Sequence, residues 1–73
     1  MKHLGELPKG EQARVVRVHG DDDVSSRMLE MGLTPGVVVR ILGSAPLGDP
    51  LELELRGYRL SVRRNEAARV EIE

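Results

Sequence analysis

Between residues 51 and 55 the chain alternates without exception: Leu51, Leu53 and Leu55 on one face, Glu52 and Glu54 on the other. Period-two alternation is the signature of a strand with one buried side. Tyr58, Leu60 and Val62 repeat the pattern after Arg56-Gly57. If those two residues form the loop of a hairpin, Leu55 faces Tyr58, Leu53 faces Leu60, Leu51 faces Val62, and Glu54 stands opposite Arg59. The apolar side chains then share one face, which turns Tyr58 inward. A type I′ turn requires positive φ at Arg56. A longer loop in the same register is the alternative.

The remaining pattern divides at Gly and Pro. Residues 12–19 are rich in valine and predict a first strand. Residues 20–23, Gly-Asp-Asp-Asp, break it. Asp22 or Asp23 suits a helix N-cap, and Val24, Met28 and Met31 share a helical stripe over residues 24–31. Gly32 stands where a left-handed C-terminal cap is expected, with Leu33 closing over it. Leu29 points away from the stripe, either widening the apolar face or free for a partner. Thr34-Pro35-Gly36 predicts a turn, residues 37–42 a strand, residues 43–50 a loop, residues 64–68 a helical turn and residues 70–73 a closing strand. The fold class expected is mainly β: a small SH3-like barrel of about five strands, with one short α-helix after the first strand. Closure removes exposed edges. An OB-fold is the competitor, but it usually has longer strands.

Composition narrows the function. The 73 residues allow one domain, residues 1–73. No cysteine is present, which excludes disulfides and thiolate metal sites. The longest aliphatic run, Val37-Val38-Val39, ends at Arg40, so neither a signal peptide nor a membrane span is expected. A soluble, cytoplasmic protein follows. With 11 basic and 12 acidic residues interspersed, no Phe or Trp and one Tyr, the chain lacks the basic stripe and stacking aromatics of nucleic-acid binders.

Candidate chemistry is sparse. His19, Asp21 and Asp22 are weak candidates for a divalent cation such as Fe2+, but adjacent carboxylates alone make a poor cage, and the simpler reading is a polar turn with a helix cap. His3 and His19 are the only histidines, and His3 lies in a tail expected to be mobile. Met28 and Met31 are expected to pack in the core. No serine has a recognisable base, and the glycines form no phosphate-binding fingerprint, so no enzyme is expected. Leu47, between Pro46 and Pro50, either docks a partner or plugs one end of the barrel. The arginines fall mainly on polar strand faces and are expected to form a solvated surface with cross-strand pairs.

Three segments together resemble one family. Residues 27–36, Arg-Met-Leu-Glu-Met-Gly-Leu-Thr-Pro-Gly, resemble the helix-and-turn motif of FeoA proteins, R-L-x-x-L/M-G-L-x-P-G. Residues 45–50, Ala-Pro-Leu-Gly-Asp-Pro, resemble that family's A-P-L-G-D-P loop. Residues 57–63 with Glu66-Ala67 resemble its closing segment. Met28 and Val62 stand where leucine is common, and both keep the apolar character.

The resemblance implies an SH3-like barrel without catalysis or a bound cofactor. It implies a cytoplasmic accessory of FeoB, the membrane GTPase transporter of ferrous iron, recruited to the inner face of the membrane. Separately, a monomer or weak dimer is expected, since an unpaired edge strand could support self-association. The docking residues expected are Arg27, Leu29, Leu33, Pro35, Ala45, Pro46, Leu47 and Asp49. The alternative is a metal-binding or iron-sensing module like the C-terminal domain of iron-dependent repressors. With Tyr58 the sole aromatic, binding of Pro-rich peptides is not expected.

Overall fold

A computed structural model of the chain describes residues 2–73. Five strands form one antiparallel sheet: β1 (Gln12–Val18), β2 (Val38–Ser44), β3 (Leu51–Leu55), β4 (Tyr58–Val62) and β5 (Val70–Ile72), in the order β4-β3-β2-β1-β5. Helix α1 (Asp23–Glu30) links β1 to β2, and the single-turn α2 (Arg64–Ala67) links β4 to β5. Short 3-10 turns occupy Leu4–Glu6 and Pro46–Gly48. Register shifts between Val15 and Arg17 in β1, and between Ile41 and Gly43 in β2, bend the sheet around a continuous apolar core.

The β3–β4 hairpin has the expected register, from Leu51 opposite Val62 to Leu55 opposite Tyr58. Arg56 and Gly57 take φ of 50° and 84°, the two positive values a type I′ loop demands. Tyr58 does not turn inward. It is 44% exposed, and its hydroxyl donates to the Met31 carbonyl at the end of α1. Its partner Leu55 is buried in the core, whereas Tyr58, at the start of β4, reaches sideways to the end of the helix.

Helix α1 starts one residue earlier than the apolar stripe indicates. Asp22 is its N-cap and accepts from the Ser25 N–H at 3.1 Å, while Ser25 Oγ donates to the Asp22 carbonyl at 2.8 Å. At the other end Leu33 N–H donates to Met28 O at 3.1 Å and Gly32 N–H to Leu29 O at 3.0 Å. This is the Schellman pairing, and it needs the left-handed Gly32, with φ of 105°. Strand β2 begins at Val38, later than the sequence suggests, because the turn before it is tied to β1 by Gly36 N–H to Val15 O and Val15 N–H to Val37 O.

The N-terminal segment is anchored, contrary to the expectation of a mobile tail around His3. Leu4 and Leu7 are buried in the core, His3 caps the first 3-10 turn, and Ile72 N–H donates to Lys2 O. Those contacts cover part of the outer edge of β5. Helix α1 spans the gap between the two ends of the sheet: Tyr58 of β4 holds its C-terminus, and Arg69, just before β5, holds Asp22 at its N-terminus.

Candidate functional site

The three segments that carried the resemblance meet on one side of the barrel. Arg27 comes from α1 and Met31 from its C-cap, one helical turn apart and therefore on one flank. Asp49 and Pro50 come from the loop before β3, and Ser61, Arg63 and Glu66 from the end of β4 and from α2. Together they line an open cleft of about 370 Å³. Arg27 Nη2 is 2.7 Å from Glu66 Oε2, tying α1 to α2. Asp49 Oδ1 accepts from the Arg64 N–H at 3.0 Å, and Arg64 Nε donates to the Gly48 carbonyl. The loop is thereby pinned to the start of α2.

On this pinned loop Leu47 is fully exposed and takes a φ of 74°. It plugs no part of the barrel, so the reading of Leu47 as a lid is set aside. A leucine held in left-handed backbone and presented to solvent costs conformational energy and buries nothing within the chain. Its neighbour Ala45 is half-buried, with its N–H donating to Pro50 O, and Pro46 is exposed.

The other residues expected to dock a partner do not form one patch. Leu33 is completely buried and belongs to the core, so it is corrected from surface to packing residue. It closes the helix cap from inside. Leu29, 41% exposed, lies about 160° around α1 from Arg27, on the flank away from the cleft. Pro35 is exposed in the turn after α1. Arg27 and Asp49 are exposed and lie beside the cleft, but Glu66 and the Arg64 N–H already engage them.

The weak metal candidates are likewise separated. Asp22 caps α1 and makes a two-point contact with Arg69, Nη1 to Oδ1 at 2.9 Å and Nη2 to Oδ2 at 2.7 Å. The Arg69 guanidinium first, and the Ser25 N–H second, hold the Asp22 carboxyl well below the usual carboxylate range. Asp21 is exposed, and His19 Nε2 sits 2.8 Å from Glu71 Oε1. Among the described residues no group of three or more His, Asp or Glu could hold a metal ion. Glu66 and Arg69 carried no local signal of these roles, since their partners lie 39 and 47 residues away.

The FeoA domain model matches residues 2–73. The chain belongs to the FeoA family. A Porphyromonas gingivalis protein described as an Fe(2+) transport protein A/Fe(2+) transporter FeoB fusion is 41% identical over 70 residues, which are 96% of this chain and 8% of that protein. This FeoA chain thus spans only a small part of that curated relative. The solution structure of FeoA from Chlorobium tepidum superposes with a TM-score of 0.89 at 38% identity, covering 97% of this chain and 68% of the other. The Stenotrophomonas maltophilia FeoA, a crystal structure complexed with zinc and described as an SH3 domain protein, has a TM-score of 0.88 at 32% identity, covering 100% of this chain and 91% of that one. The fold is the SH3-like barrel expected from the strand pattern. No helix among the described residues is long and apolar enough to cross a membrane.

Proposed function

We propose that this FeoA protein is a non-enzymatic, cytoplasmic accessory of ferrous-iron uptake that docks on the cytosolic part of a FeoB-type transporter. The observation that carries the reading is the fused relative, in which a FeoA segment and a FeoB transporter share one chain. Fusion raises the effective concentration of two parts that work together.

The pinned loop supports this surface best. Leu47 is an apolar side chain in solvent on a loop pinned through Gly48 and Asp49, so docking it orders little further backbone. Arg27, Pro46 and Asp49 frame it and the neighbouring cleft. A docked accessory biases its transporter only through different affinities for the transporter's conformational states. The test is a titration of isotope-labelled protein with the FeoB cytosolic GTPase domain, with Leu47→Asp as the variant. Amide shifts centred on residues 45–50 in the wild type, lost in the variant, are the expected result. Unchanged binding by a folded Leu47→Asp protein overturns the loop as the docking surface, and no shifts at high partner concentration overturn the partner.

A further inference from the structure

Strand β4 ends the sheet, and its outer edge is open. In a two-residue hairpin the flanking pair, here Leu55 and Tyr58, exchanges both ladder hydrogen bonds with its partner strand. The alternation that follows turns the N–H and C=O groups of Arg59 and Ser61 away from β3. Among the described residues no hydrogen bond uses the backbone of either one. The contrast with the opposite end of the sheet is plain, because β5 has Lys2 and His3 along its outer side. Arg63, just past β4, is already engaged, its N–H by Glu66 and its carbonyl by Glu66 and Ala67. The open edge thus comprises two donors and two acceptors, and its Ser61 end lines the cleft that Arg27 of α1 and Met31 at the α1 C-cap also line.

Charge says what fits there. Arg59 and Ser61 on the exposed face of β4 continue into exposed Arg63 just past the strand, and neither arginine has an ion-pair partner within 4.0 Å among the described residues. On the β3 side, Glu54 and Glu52 stand opposite Arg59 and Ser61. The sheet surface therefore runs from an acidic strand to a basic one and stops. A further strand continues the alternation if it is acidic. A second copy does not fit: antiparallel pairing of β4 with itself about Leu60 sets Arg59 diagonal to the Arg59 and Arg63 of the other copy, and pairing about Ser61 sets Arg59 opposite Arg63.

We infer that the open β4 edge takes an extended segment of a partner protein by strand addition, with carboxylates of that segment opposite Arg59 and Arg63. Main-chain hydrogen bonds to Arg59 and Ser61 give the segment its register, and the two arginines select its charge. The chemistry is independent of the Leu47 loop and of which protein supplies the strand.

The probe is a blocked heptapeptide of alternating Val and Thr with Glu at its second and sixth positions, and a matched peptide with Lys there. Titrated into labelled protein, the Glu peptide is expected to shift the Arg59 and Ser61 amides and to slow their exchange with solvent, while the Lys peptide does neither. Arg59→Glu with Arg63→Glu, both exposed, should lower affinity for the Glu peptide by about tenfold and transfer preference to the Lys peptide. Ser61→Pro, which removes an outward N–H at an edge, should weaken both. The inference is overturned if neither peptide moves these amides at millimolar concentration, if the charge exchange leaves the preference unaltered, or if the edge amides are protected by self-association without any peptide. Loss of FeoB binding by Leu47→Asp leaves all of these readouts unaffected, so the two proposals fail separately.

Discussion

Gly32 shows how much one position can require. Its φ of 105° is open to glycine at little cost, and a Cβ there would crowd the Tyr58 hydroxyl and come within 3.1 Å of Leu55 Cδ1. Gly32→Ala is expected to destabilise the protein by about 1–3 kcal/mol in denaturant titrations. Part of that loss comes from the Tyr58 contact, so the substitution should cost less in a Tyr58→Phe background, and a double-mutant cycle reads the difference. Asp22 acts through charge. Arg69 and the Ser25 N–H stabilise its ionised form, so its folded-state pKa lies below the ordinary 3.8. The stability it contributes is fully present above that value and is lost as pH falls through 3.8 toward the folded value. Acid titration of stability should therefore show a shallower decline in Asp22→Asn than in the wild type below about pH 4.5.

At the scale of elements, the β3–β4 hairpin is well specified in register but carries an unfavourable residue in its turn. Arg56 holds a φ of 50°, where Asn or Gly is preferred. Arg56→Asn should raise stability by a few tenths to about 1 kcal/mol, measured by thermal unfolding, without altering the pairing of Leu55 with Tyr58. The two ends of α1 are held from outside by Arg69 and Tyr58, so this eight-residue helix, too short to persist alone, is a strut across the barrel opening.

For the whole molecule, the division between Leu33 and Leu47 separates folding from docking. Leu33 is buried at the helix cap and Leu47 stands in solvent on a loop pinned by Asp49 and Arg64. Leu33→Asp should abolish cooperative unfolding, since it places a charge in the core. Leu47→Asp should leave the unfolding midpoint within about 0.5 kcal/mol of the wild type while removing the proposed contact with the transporter's GTPase domain. Circular dichroism melts of the two variants, followed by binding assays on the folded one, check both halves.

Local pattern was enough to place every strand within two residues, to set the hairpin register, to locate Gly32 at the end of α1 and to narrow its N-cap to Asp22 or Asp23. Those features depend on side-chain period, backbone φ and first-turn hydrogen bonds, which are properties of neighbours in the chain. Motif order was likewise legible, and with it the family. Tertiary structure alone decided that Tyr58 reaches α1 instead of the core, that Leu33 is inside and Leu29 on the flank away from the cleft, and that the N-terminal segment is anchored. It also decided that ionised Asp22 is paired with Arg69 and that the outer edge of β4 is left open. These outcomes rest on which distant segments meet, and no periodicity within a segment encodes that meeting.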